Sequence, residues 1–76
     1  MTMGWSAHAN EQMAFVKDSA NATPAEMGQL LSQMNAWAAN NPDSRHFIEF
    51  GKLRHHGVAF TVSGGDIVSV DYGDRD

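Results

Sequence analysis

The sequence predicts an α+β fold in which one or two N-terminal helices pack on a three-stranded antiparallel meander, in the order α-α-β-β-β. Three observations predict it. A capping box opens a stretch of helical hydrophobic periodicity at Thr23; Asn40-Asn41-Pro42 closes that stretch; and beyond it the apolar residues fall into short β-type runs separated by glycine.

The central helix is the clearest element. In Thr23-Pro24-Ala25-Glu26 the threonine hydroxyl can accept from the Glu26 N–H while the glutamate carboxylate reaches back to the Thr23 N–H, and Pro24 sits where a helix has no use for its missing donor. Met27, Leu30, Leu31, Met34, Trp37 and Ala38 then share one stripe of a 3.6-residue helix. Pro42 disfavours helical geometry at Asn41, and asparagine tolerates a left-handed cap. The expected helix spans residues 24–40.

Upstream, Ser6 is a candidate N-cap for a helix through residues 11–17. Trp5, Ala9, Met13 and either Val16 or Phe15 would face inward, and residues 18–22 would form the connecting loop. Its stripe is short, so a strand at Met13 to Lys17 is the alternative.

After Pro42, residues 46–50, 58–62 and 67–72 are rich in β-branched and aromatic side chains. Val58, Phe60 and Val62 alternate onto one face, as do Val68, Val70 and Tyr72. Bringing the two sets together pairs 62 with 68, 60 with 70 and 58 with 72, which predicts a three-residue loop, Gly64-Gly65-Asp66. A two-residue Gly-Gly turn would pair Val62 with Ile67 instead. The first hairpin turns either within Arg54-His55-His56 or at His56-Gly57. Ile48, Phe50, Phe60, Val62, Val68 and Val70 are the residues expected to meet the helical methionines and Trp37.

Residues 1–76 make one small domain, with fraying expected at 1–5 and 73–76. A chain of this length buries only about 60% of the surface its unfolded form exposes, so a homodimer or a larger partner would add useful burial. There is no cysteine, hence no disulfide framework, cysteine-type zinc site or thiol nucleophile. No basic n-region precedes an apolar core at the start, and no apolar run reaches the roughly 20 residues that span a bilayer; the expectation is a soluble cytoplasmic protein without a membrane partner.

Charge is segregated along the chain. Residues 1–42 carry a net −2, residues 43–56 a net +1 and residues 57–76 a net −3, for a total of −4. Lys52-Leu53-Arg54-His55-His56, with Arg45 nearby, reads as a cationic hairpin tip able to meet an anionic surface; the alternative is a solvated tip that keeps an edge strand soluble. Asp71 and Asp74 lie in an acidic end that would suit a basic partner, or serve only as a solvated terminus.

Chemistry is sparsely encoded. His46, His55 and His56 lie on or beside one predicted hairpin, but adjacent histidines on a strand point to opposite faces, and no helical His-x-x-x-His pair is present; no metal or other cofactor is predicted. No nucleophile elbow, phosphate-binding loop or paired acid and base stands out, and the chain is not expected to be an enzyme. The function expected is a non-enzymatic protein-interaction module, an inhibitor, regulator or accessory subunit of a larger protein or complex of the kind found in phage or mobile elements. Arg45, Lys52, Arg54, His55, His56, Asp71 and Asp74 are its candidate binding residues. The alternative is a nucleic-acid-binding module using the hairpin around Lys52 to His56, with Phe47 and His46 available for stacking, against which the net charge argues.

Overall fold

A computed structural model describes residues 4–75. Two helices, α1 (Ala7–Ala20) and α2 (Pro24–Asn40), precede three strands, β1 (Ser44–Glu49), β2 (His56–Ser63) and β3 (Asp66–Asp74), which form one antiparallel sheet in the order β1-β2-β3. The α+β class and element order are those the sequence predicts.

Local chemistry explains where each helix begins and ends. Ser6 caps α1 by accepting from the Ala9 N–H, and both halves of the capping box at Thr23 and Glu26 are present in α2. The first element is a helix rather than a strand, and it runs to Ala20, through residues expected to be loop. Asn21, at φ 52°, supplies the left-handed cap, and its N–H reaches back to the Asp18 carbonyl. Asn41 does not play that role in α2. Its φ is −139°, and the last carbonyls are met by side chains instead, Asn40 Nδ2 donating to Ala36 and Asn41 Nδ2 to Trp37.

The core lies between the helices and one face of the sheet. Ala9, Met13 and Val16 of α1 and Leu30, Met34 and Ala38 of α2 are buried with Val58, Phe60, Val62, Ile67 and Val70. Trp5, Met27, Trp37, Ile48, Phe50 and Tyr72 pack around that centre. Of the two inward candidates in α1, Val16 is buried and Phe15 is 70% exposed; one stripe assignment is corrected, since Leu31 sits on the exposed rim of α2.

The second hairpin combines both registers considered from the sequence. Phe60 pairs with Val70 and Val58 with Tyr72 as alternation requires, yet Val62 pairs with Ile67 and Ser63 with Asp66, so the loop is Gly64-Gly65 alone. Val68 is the extra residue. The bulge rotates it away from the helices and brings Ile67, fully buried, into the core place expected for Val68. Gly64 and Gly65 both have positive φ, 59° and 85°, as a two-residue turn matched to strand twist demands. The turn is docked by Gly64 N–H donating to the Asp43 carboxylate and Gly65 N–H to the Pro42 carbonyl.

In the first hairpin, residues 50–55 connect the strands. Its tight turn has Arg54 and His55 at the centre, closed by His56 N–H donating to the Leu53 carbonyl, with His55 at φ 62°. His56-Gly57 is strand rather than turn. Fraying expected at the termini falls partly on residues 1–3 and 76, outside the described residues. Within them, Trp5 bridges to Ile67 in parallel, and Arg75 N–H donates to the His55 carbonyl.

Candidate functional site

Hydrogen-bond parity determines what the sheet presents outward. Phe50 N–H donates to the His56 carbonyl, so the pairs 48–58, 46–60 and 44–62, at even steps along the same register, also turn their backbone groups toward each other. The polar groups of Arg45, Phe47 and Glu49 therefore point away from β2, at the free edge of β1. On the opposite side of the sheet the N-terminal half of the β3 edge is occupied. Ile67 exchanges bonds with Gly4 and Ser6, and Val70 N–H donates to Gln12 Oε1 at 2.6 Å. Among the described residues nothing bonds to the outward groups of β1.

Side-chain alternation gives the sheet a second distinction. His46, Ile48, Val58, Phe60 and Tyr72 face the helices, while Arg45, Phe47, Glu49, Ala59, Thr61, Asp71 and Arg75 fall on the opposite, open face. There the Phe47 ring lies over Gly57, where an added Cβ would come within 2.9 Å of the ring tip, and the Arg75 guanidinium sits 4.9 Å from the ring centre. That separation fits a cation–π contact. Arg45 donates to the Thr61 hydroxyl across the strand and lies 3.8 Å from the Asp71 carboxylate, both charged groups well exposed.

The basic middle and acidic end of the chain are consequently neighbours on one sheet, not two separated surfaces. Arg45 and Asp71 meet on the open face. His56 Nδ1 lies 2.6 Å from Asp74 Oδ1, a distance at which the ring nitrogen donates to the carboxylate, and its ring stands edge-on to Tyr72. Lys52 Nζ donates to the Asn21 carbonyl just beyond α1, and His55 lies 4.0 Å from Glu49. Arg54 is exposed on the connecting turn. Lys52, His55 and His56 thus each lie beside a carbonyl or carboxylate oxygen.

His46 is corrected from a candidate exposed stacking residue to a packing one. Its ring stacks on Trp37 at 3.7 Å and 4°, meets Phe60 edge-on, and faces the helices. His46 therefore lies on the side of the sheet opposite Phe47. Among the described residues no group of three or more His, Asp or Glu side chains is placed to hold a metal ion. A groove of about 510 Å³ runs between α2 and the β1–β2 connection, with Gln29 and Gln33 on one wall and Ile48 and Glu49 on the other.

Arg75 was not among the residues expected from sequence, and Phe47 was expected only as a stacking residue of the nucleic-acid alternative. Arg75 and Phe47 become partners only because β3 continues past Gly73 and because Phe47 alternates away from the helices. The His56–Asp74 pair was recoverable: extending the predicted 60–70 and 58–72 register by one further step places 56 opposite 74.

No protein-family model matches the chain, and neither the curated proteins nor the solved structures include one significantly similar to it. No helix of the described residues is long and apolar enough to cross a membrane.

Proposed function

We propose that this chain is a small non-enzymatic interaction module, an inhibitor, regulator or accessory subunit, that binds a larger protein through the open face of its sheet. One observation carries the reading. Both helices lie on one side of the sheet, leaving on the other a half-buried Phe47 beneath Arg75, on the same face as Arg45, Thr61 and Asp71.

The composition of that face favours protein over nucleic acid. Aromatic and arginine side chains are enriched at the centres of protein interfaces, and a mixture of both charge signs supplies register and discrimination there. A phosphate-binding face needs cations free of competing carboxylates. Here Arg45 has Asp71 beside it.

The test is recovery of the tagged protein from lysate of its source cell, with and without nuclease, in three forms: wild type, Asp71→Lys with Arg75→Glu, and Lys52→Glu with Arg54→Glu. A stoichiometric protein partner that survives nuclease and is lost from the first variant, with folding intact by circular dichroism, is the expected result. Recovery of nucleic acid alone, lost with nuclease, would replace this function by the nucleic-acid reading; loss of the partner only from the second variant would move the interface to the connecting turn.

A further inference from the structure

The two edges of the sheet are treated differently by the fold. The N-terminal half of the outer edge of β3 is covered by Gly4, Ser6 and Gln12, which take up backbone groups of Ile67 and Val70, whereas among the described residues β1 is uncovered along its whole length. The edge of β1 carries neither proline nor bulge, and the outward groups of Arg45, Phe47 and Glu49 are unbonded among the described residues. An uncovered strand edge is a template for another strand. At its C-terminal half, the groove toward Gln29 and Gln33 separates α2 from this edge and leaves room for one.

We propose that the occupant is a second copy of this chain, joined by antiparallel β1–β1 pairing about a two-fold axis through Phe47. Register selects this axis. An antiparallel pair must set outward-pointing residues against outward-pointing residues, so only Arg45, Phe47 and Glu49 can form the bonded pairs. An axis at Arg45 opposes two arginines, and an axis at Glu49 opposes two glutamates. An axis at His46 sets Arg45 against Phe47, and one at Ile48 sets Glu49 against Phe47. Only the axis at Phe47 places Arg45 opposite Glu49 of the second copy, twice by symmetry, with Phe47 opposite its own counterpart. Opposite-charge pairs directly across an antiparallel ladder are stabilising, and like charges there are destabilising.

Such an interface is isologous, as two-fold dimers require. It joins two three-stranded sheets into one of six, keeps all four helices on the same side and makes the two open faces continuous. The inference goes beyond the proposed binding function and stands on the β1 edge alone. Arg45 retains its contacts with Thr61 and Asp71 on the other side, so the new pair extends a row of polar groups already running across the face.

Charge exchange tests this without altering the core. Sedimentation equilibrium of the purified wild-type chain is expected to show a reversible dimer, with hydrogen exchange at the Phe47 amide slowing as concentration rises. Arg45→Glu alone puts like charges across both symmetric pairs, as does Glu49→Arg alone, and each is expected to weaken the dimer about tenfold or more. Mixing the two variants restores unlike charges at both positions and is expected to yield a heterodimer. The double exchange Arg45→Glu with Glu49→Arg regains the homodimer for the same reason. A wild-type chain that stays monomeric to about millimolar concentration, or single variants that dimerise as tightly as wild type, would overturn the proposal; so would a mixture that fails to associate.

Discussion

Replacing Gly57 by alanine joins the packing of the sheet to the shape of its open face. In an ordinary strand the change would help by roughly 0.5–1 kcal/mol, because glycine surrenders more chain entropy on folding. Gly57 is buried, however, and a Cβ built there collides with the Ile48 carbonyl oxygen and comes within 2.9 Å of both Glu49 Cα and the Phe47 ring tip. A ring tip can swing aside; the backbone of β1 cannot move without disturbing its ladder to β2. Overpacking costs about 1–3 kcal/mol; with backbone as the obstruction the upper part of that range, about 2–3 kcal/mol, applies, and setting about 1 kcal/mol of entropic gain against it leaves a net loss of about 1–2 kcal/mol. For a domain of 76 residues each kcal/mol corresponds to roughly 4–8 °C, so Tm should fall by roughly 4–16 °C in a thermal melt followed by circular dichroism. The same substitution in a Phe47→Ala background should recover little, since two of the three obstructing atoms are backbone. An alanine variant as stable as wild type would refute the close approach of β1 to β2 and with it the placement of Phe47.

Further outcomes follow from single contacts. Gln12→Leu removes the acceptor for the partly buried Val70 N–H and should cost about 1–2 kcal/mol, with faster hydrogen exchange at Val70; an unchanged rate there would mean the β3 edge is not held by α1. Gly65→Ala forces a side chain to φ 85° in the two-residue turn and should destabilise by about 1–2 kcal/mol in urea unfolding, whereas a neutral result would favour the longer loop. Glu26 is held below its ordinary carboxyl pKa of 4.5, first by the Thr23 backbone N–H and then by the Thr23 hydroxyl. Because the folded pKa is the lower one, this contribution is complete above the unfolded pKa and is lost as pH falls through the folded pKa. Glu26→Gln should therefore differ most from wild type near neutral pH and converge with it in acid, and a stability difference independent of pH would contradict the capping box.

How much of this was legible depended on whether the cause was local. The limits of α2 follow from side chains within a few positions of each end, Thr23 with Glu26 at one and the asparagines before Pro42 at the other, and both could be located from sequence. The length of α1 could not, because residues 17–20, Lys-Asp-Ser-Ala, offer almost no stripe; what extends the helix is Ala20 packing inward and Asn21 closing it. The bulge at Val68 is where two local rules disagree. Glycine pairs favour a two-residue turn while alternation of apolar residues demands a one-residue offset, and the chain satisfies both by giving up one pairing. The N-terminal bridge to Ile67 was invisible for a different reason: it joins residues about 60 positions apart, and neither Gly4 nor Trp5 resembles a strand. The candidate surface was legible as charges but not as an arrangement. Arg45 and Asp71 come together only once both hairpin registers are known, and Phe47 and Arg75 only once it is known which face the helices cover.

Binding of a larger protein to the open face of the sheet can be read from hydrogen exchange of the chain alone against the chain in its recovered complex. Added protection is expected in the strand segments bearing Phe47, Ala59, Thr61 and Asp71, with the exposed positions of α1 and α2 unchanged. Protection confined to the helices, with those strand segments exchanging as they do in the free chain, would contradict binding at that face.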